Sequence, residues 1–309
     1  MHRRDFLRNV ALGAGALAVP GLLSACRRAA RTSGAQVPPG FSGIVKDLDR
    51  SADPGLEVLL AGGEFIRSDR QRITLGLVTK ENRLFEVIDA RLWLGRQGKV
   101  DGPLPLTFHR FAGAEEHGHE DSAPATGFYD LFASLPDEGV WDLLVHAQGA
   151  GQSLYGFKAL QVGPPRVPPP GTAAVAVPTP TFDDARGVAA VCTREPPCPM
   201  HAVSLDAAVR AGMPTVLVVA TPKFCLSRMC GPTVNEVIAA YEGGKDRATF
   251  VHAEVFRDPN GQQLSPTMEA WHMESEPWTM VIDASGTIRE RFEGPVVTAE
   301  VSEALQKVL

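Results

Sequence analysis

Seven prolines fall between residues 164 and 180, three of them consecutive at Pro168-Pro169-Pro170. Each ring fixes φ and removes a backbone donor, so such a run continues neither a helix nor the interior of a sheet. It divides the chain and reads as a semi-rigid spacer between two bodies. With 309 residues there is enough chain for a core on either side. The hydrophobic period changes across the spacer. Before it, short β-like runs separated by turns lie at residues 56–60, 73–78, 90–94, 106–111, 127–135, 140–147 and 156–162. In the run 140–147, Trp141, Leu143 and Val145 share one face, and Asp142 and His146 the other. About seven such runs with no helical stretch between them predict a small antiparallel β-sandwich.

After the spacer the pattern mixes periods. Ser204 can cap a short helix over 205–211, and 214–220 is a continuous apolar run, as expected of a central buried strand. Residues 234–241 read as a helix that stops at Gly243-Gly244, 249–256 as a strand and 265–273 as a second short helix. Residues 278–283 and 288–292 flank the turn Ala284-Ser285-Gly286 as a hairpin, and 298–309 is an amphipathic closing helix. The predicted order is α-β-α-β-α-β-β-α.

The N-terminus reads as an address. Arg3-Arg4 precedes Phe6-Leu7, and 9–25 is uncharged, mildly apolar sequence too short for an ordinary membrane span. This resembles a twin-arginine (Tat) export signal, and Leu23-Ser24-Ala25-Cys26 resembles a lipoprotein signal-peptidase box in which Cys26 is lipidated. The resemblance implies a protein exported and held by lipid on the extracytoplasmic side of a membrane, periplasmic or cell-surface. Removing residues 1–25 takes away three Arg and one Asp. Against 30 basic and 36 acidic residues in all, that leaves 27 and 35, or −8. A chain this acidic is not expected to bind nucleic acid. The division is then 1–26 signal peptide with lipobox, 27–50 tether, 51–163 sandwich, 164–199 proline-rich linker with the Cys192/Cys198 loop, and 200–309 the α/β domain.

With Cys26 set aside, Cys192, Cys198, Cys225 and Cys230 remain, in two close pairs. Cys225 and Cys230 lie where the buried strand turns into a helix. A thiol at a helix N-terminus faces unpaired N–H groups that favour thiolate, the nucleophile of disulfide exchange. On this reading Cys230 attacks and Cys225 resolves. Glu276-Pro277 immediately precedes the final hairpin, where a proline can be cis.

Those residues carry a resemblance. Cys230-Gly231-Pro232 is similar to the first three positions of the thioredoxin Cys-Gly-Pro-Cys motif, and Pro277 to that fold's active-site cis-proline. The resemblance covers about residues 200–309. It departs at Thr233, which holds the family's second cysteine position, at Met229 where tryptophan is usual, and in having no acid between Pro214 and Met229. Residues 129–141, with Tyr129 and Trp141 about a turn, resemble adjacent strands of an immunoglobulin-like domain. The fold class expected is two-domain: an N-terminal antiparallel, immunoglobulin-like β-sandwich plus a C-terminal α/β thioredoxin-like fold.

The resemblance implies a membrane-anchored thiol–disulfide oxidoreductase, with Cys225, Cys230 and Pro277 as catalytic residues and no cofactor. Its partners would be an exported protein substrate and a thiol donor or acceptor. A peroxidase reading rests on Ser227 three residues before Cys230, with Arg228 beside it. The Sco copper chaperones share the fold and suggest copper as an alternative, held by Cys225, Cys230 and His272, with Cys198-Pro199-Met200-His201 as further donors. A third reading is a non-catalytic binding module. Cys192 and Cys198, six residues apart with prolines between, are expected to close a structural disulfide loop. His252 reads as a strand residue. His117-Gly118-His119, flanked by acids, reads as a solvated loop tip with metal binding as its alternative.

Overall fold

The computed structural model describes residues 37–80, 85, 87, 89–113 and 125–309. The Tat-like segment, Cys26 and the His117/His119 loop lie outside the described residues. Among those described, no helix is long and apolar enough to cross a membrane.

The architecture is mostly β-sheet with few helices. A short helix α1 (Ser42–Asp47) leads into strands β1 (Leu56–Leu60), β2 (Phe65–Ile66), β3 (Ser68–Thr79), β4 (Asp89–Arg96), β5 (Lys99–Pro105), β6 (Thr107–Arg110), β7 (Gly127–Leu135), β8 (Gly139–Gly149) and β9 (Gln152–Gly163). They form a four-stranded sheet, β1-β3-β7-β6, and a five-stranded sheet, β2-β9-β8-β4-β5. Every pairing is antiparallel except the short β2–β9 pair. Alternate residues of both sheets meet in one core that includes Leu75, Leu77, Leu92, Leu143 and Val145. The sequence reading contains neither β2 nor β5. β5 carries Gly102 and two prolines on a polar sheet edge, where little apolar pattern is needed. It is set by a two-residue turn instead: Gln97 and Gly98 both take positive φ, at 51° and 79°.

The expected tether is packed from Val37 onward. Phe41 is fully buried with Trp93 and Leu144 on the outside of the five-stranded sheet. Gly95 makes room for it, since a Cβ there would sit 2.4 Å from the Phe41 ring. The expected spacer is also packed, and it does not stand free. The amide of Gly171 donates to Ile288 O and that of Ile288 to Thr172 O, while Ala173 bridges Thr287. Val167 is buried, with Val175 and Val177 against the same core. Proline forbids regular structure but not burial, and the valines between the prolines supply the apolar surface.

The second half runs α2 (Leu205–Arg210), β10 (Thr215–Val219), α3 (Cys230–Gly244), β11 (Thr249–Ala253), α4 (Pro266–Ala270), β12 (Trp278–Ile282), β13 (Ile288–Glu293) and α5 (Thr298–Gln306), the order read from the sequence. The sheet order is β11-β10-β12-β13, with β10 parallel to β11 and antiparallel to β12. β10 is buried on both faces: Val216 and Val218 point to one core with α3 and α5, Leu217 and Val219 to the other with α4. On α3, Cys230, Val234, Val237 and Ala240 recur at helical spacing and face the first core.

The halves are joined by buried polar groups. Arg72 of β3 reaches Asp130 (2.9 Å), the carbonyl of Pro295 (2.9 Å) and Glu300 of α5 (2.8 Å). Glu293 accepts from the amides of Gly63 and Glu64, both at 2.7 Å. Glu236 on α3 accepts from Ala112 N at 2.6 Å with one oxygen and from Thr298 N at 2.8 Å with the other.

Candidate functional site

Both cysteine pairs gather around the C-terminal end of β10, the end of a strand in an α/β sheet where the chain turns away and leaves room for a site. After Val219 the chain makes consecutive turns to Met229 and enters α3 at Cys230. The amide of Cys225 donates to Thr221 O at 3.2 Å and that of Arg228 to Cys225 O at 3.3 Å, and Arg228 takes φ 59°. These turns fold Cys225 back over the first turn of the helix.

The two sulfurs have opposite environments. Cys225 is half-buried, and its Sγ lies 3.2 Å from Ser227 Oγ. A hydrogen bond from Cys230, the contact with Ser227 and the backbone N–H groups of Met229 and Cys230 bring its pKa down to about 5, outweighing burial. Cys230 is fully buried, and burial, with the neighbouring Cys225 sulfur, pushes its thiol up. The sequence reading put the amide-stabilised sulfur at Cys230, and the structure puts it at Cys225. The helix N-terminus does stabilise a thiolate, but on Cys225, which lies in front of the orphan N–H groups. Cys230 occupies the first helical position and points inward. Met229 and Cys230 are thus the donors and Cys225 is the acceptor.

Glu276 completes this cluster: one of its carboxylate oxygens and both sulfurs lie within 4.8 Å of one another. Burial, then the charge on Cys225, raises its pKa. The bond from Glu276 to Pro277 is cis. Sequence reasoning placed Pro277 here but gave Glu276 no role, although its position directly before that proline was the available signal. His272 does not join the two cysteines. It lines a shallow hollow with Arg166, Leu264, Met268 and Glu269, so the copper set Cys225, Cys230 and His272 is not assembled. Arg228 sits in the turn ahead of α3.

The other pair differs from expectation as well. Cys192 and Cys198 are free thiols, and the structure does not close them into a disulfide loop. Two histidines stand beside them. His252 Nδ1 lies 3.3 Å from Cys198 Sγ, 3.8 Å from Cys192 Sγ and 3.1 Å from His201 Nε2. The Cys198 amide donates to Cys192 Sγ at 3.4 Å. His201, His252 and Cys198 are at most 1 % exposed, and Cys192 is half-buried. Sharing one proton between the sulfurs depresses Cys192 and raises Cys198, which burial raises further. His252 arrives from β11, opposite Val218, and its amide donates to Met200 O at 2.8 Å, docking the 198–201 segment beside the strand. A histidine within an apolar strand gave no sign of its distant partners.

The remaining strand histidines are satisfied locally. His109 Nε2 is 2.8 Å from Asp130 and His146 Nε2 is 2.9 Å from Ser153 Oγ.

No family model matches this chain, and no curated protein matches it. Among solved structures, the chain is similar to an engineered protein at 13% identity, with 37% of this chain and 21% of that chain covered and a TM-score of 0.24. It thus spans about a fifth of that structure's length. A thiol:disulfide interchange protein of the thioredoxin family from Chlorobium tepidum TLS is 16% identical over 43% of this chain and 97% of its own, with a TM-score of 0.29. The titin M10–obscurin-like 1 Ig complex is 16% identical over 36% of this chain and 97% of its own, with a TM-score of 0.18.

Proposed function

We propose that the protein is a thiol–disulfide oxidoreductase of thioredoxin-like fold, exported and lipid-anchored, acting on protein thiols outside the cytoplasm. The observation that carries this reading is the asymmetric Cys225–Cys230 pair: a half-buried sulfur bonded by the first-turn amides of α3, backed by a buried thiol. The Cys225 thiolate attacks one sulfur of a substrate disulfide, forming a mixed disulfide and expelling the other sulfur as thiolate. Cys230 then gives up its proton and attacks Cys225 Sγ, which releases the substrate as a dithiol and leaves Cys225–Cys230 oxidised. The raised Glu276 carboxyl, beside both sulfurs, is placed to take that proton. An external dithiol resets the pair, and the same steps in reverse oxidise a substrate.

The lowered pKa of Cys225 favours the reverse, oxidising direction. Cys225 ionises at a lower pH in the folded protein than as an ordinary thiol, so its thiolate stabilises the reduced fold above the ordinary thiol range. That gain is lost as pH falls through about 5. A stabilised reduced form makes the disulfide a better oxidant. The test is trapping of reduced protein with a disulfide-bonded peptide, and titration in glutathione buffers. Cys225→Ser should abolish exchange, and Cys230→Ser should accumulate the mixed disulfide. Normal turnover in either variant, or a pair that stays oxidised at strongly reducing potentials, rejects the proposal.

A further inference from the structure

The cluster of Cys192, Cys198, His201 and His252 takes no part in the exchange just described, and we infer that it is a structural zinc site. Four donor atoms, two sulfur and two nitrogen, lie within 4.8 Å of one another, and no donor comes from the Cys225 pair. A tetrahedral zinc with bonds of about 2.0–2.3 Å sets its ligands about 3.3–3.8 Å apart. The separations of 3.3 and 3.8 Å from His252 Nδ1 to the two sulfurs fall within that range, and the 3.1 Å to His201 Nε2 is slightly shorter.

The hydrogen bonds around the cluster point the same way. His252 Nε2 is 3.1 Å from Ala220 O, a carbonyl that can only accept, so Nε2 carries the hydrogen and donates. Nδ1 is then left with its lone pair turned toward both sulfurs and His201 Nε2. A ring nitrogen fixed by a backbone carbonyl while the other ligates is the usual support of a metal-bound imidazole. The Cys198 amide supplies the corresponding N–H to Cys192 Sγ. Glu254 sits behind, its Oε1 4.0 Å from His252 Nε2 and held by Thr193 N at 2.6 Å and Thr193 Oγ1 at 2.8 Å.

Charge selects the ion. Two thiolates and two neutral imidazoles balance a divalent cation, whereas Cu(I) would leave a net negative charge buried beside Glu254. All four positions are filled by protein, which defines a structural site with no place for substrate. Such a zinc would staple the 192–201 segment to β11 and hold both sulfurs reduced in an oxidising compartment.

The test uses the mature chain, reduced and stripped of metal, titrated with zinc against a chromophoric chelator and, in parallel, with Co(II) and with Cu(I). One zinc per chain is expected, with thiolate-to-cobalt charge transfer and the ligand-field bands of tetrahedral Co(II). Cys198→Ser and His201→Ala should each weaken zinc by about a hundredfold or more. Cys225→Ser/Cys230→Ser should bind as the parent does, which separates this inference from the proposed exchange activity. Circular dichroism of each variant shows that loss of metal is not loss of fold. If His201→Ala unfolds, the cobalt spectrum of the parent decides alone. The inference is overturned by absence of zinc binding, by binding that depends on Cys225 or Cys230, by Cu(I) binding where zinc does not, or by a Cys192–Cys198 disulfide that forms in excess zinc.

Discussion

The two thiol clusters flank the end of the same strand and are built from the same element of chemistry, yet they are finished differently. At Cys225 the partners of sulfur are the Cys230 thiol, amides of a helix end and a hydroxyl, and the residue is only half-buried. At Cys192 and Cys198 the partners are imidazoles aimed at a common centre. Backbone N–H groups stabilise negative charge without consuming it, so the sulfur keeps its nucleophilicity. Imidazole lone pairs point toward a place where a cation belongs, and a sulfur committed there is withdrawn from exchange. The distinction lies in what surrounds each thiol, since both pairs are comparably close in sequence.

The contrast is broken most severely by exchanging the variants. Cys225→Ser is expected to lower disulfide exchange by about a thousandfold or more, in line with loss of a covalent nucleophile, while Cys198→Ser leaves it within about threefold. An insulin-type reduction assay on both proteins checks this, and equal losses would mean the clusters are not independent. Glu276→Gln should slow release of the mixed disulfide by about a hundredfold, with the first attack unchanged. Stopped-flow separation of the two phases reads it, and a defect confined to the first phase would place the carboxylate elsewhere in the reaction. Alkylation of the reduced Cys192→Ser variant should label Cys225 first, with a rate that rises through pH about 5 and levels off above it, while buried Cys230 and Cys198 resist until unfolding. A midpoint near that of an ordinary thiol would remove the basis of the asymmetry. The smallest effect belongs to Ser227→Ala, which deletes one of several stabilising bonds and should move that midpoint up by at most about one unit. No change would assign the stabilisation to Cys230 and the backbone amides.

How far the sequence speaks differs between these same regions. The bounds of β1 and β7 are those read from the hydrophobic runs, because both strands bury a dense apolar face. β5 escaped because an edge strand is specified by its turn and its neighbour rather than by its own side chains. The nearness of Cys225 and Cys230 to a helix start was visible; which sulfur faces the amides was not, since that depends on the turns through Arg228. His201 and His252 are brought together by parallel pairing of β10 with β11 and by the docking of residue 200 on β11, and spacing carries no trace of such long-range registry. The proline-rich stretch misled for a related reason: its valines are anchored by a hairpin more than a hundred residues later.

The carboxylate of Glu236 stands two turns along the helix that begins at Cys230, and it grips Ala112 with one oxygen and the start of α5 with the other. Arg72 grips the same helix start region from the other side through Glu300 and Pro295 O. A gene fragment encoding only the second half would therefore inherit the cysteines without the anchors of the helix that positions them. It would leave Glu236 without Ala112 and Glu300 without Arg72, while both keep their partners at the start of α5. Transplanting the thiol pair with this half alone would therefore call for a redesign of the surface that meets Ala112 and Arg72.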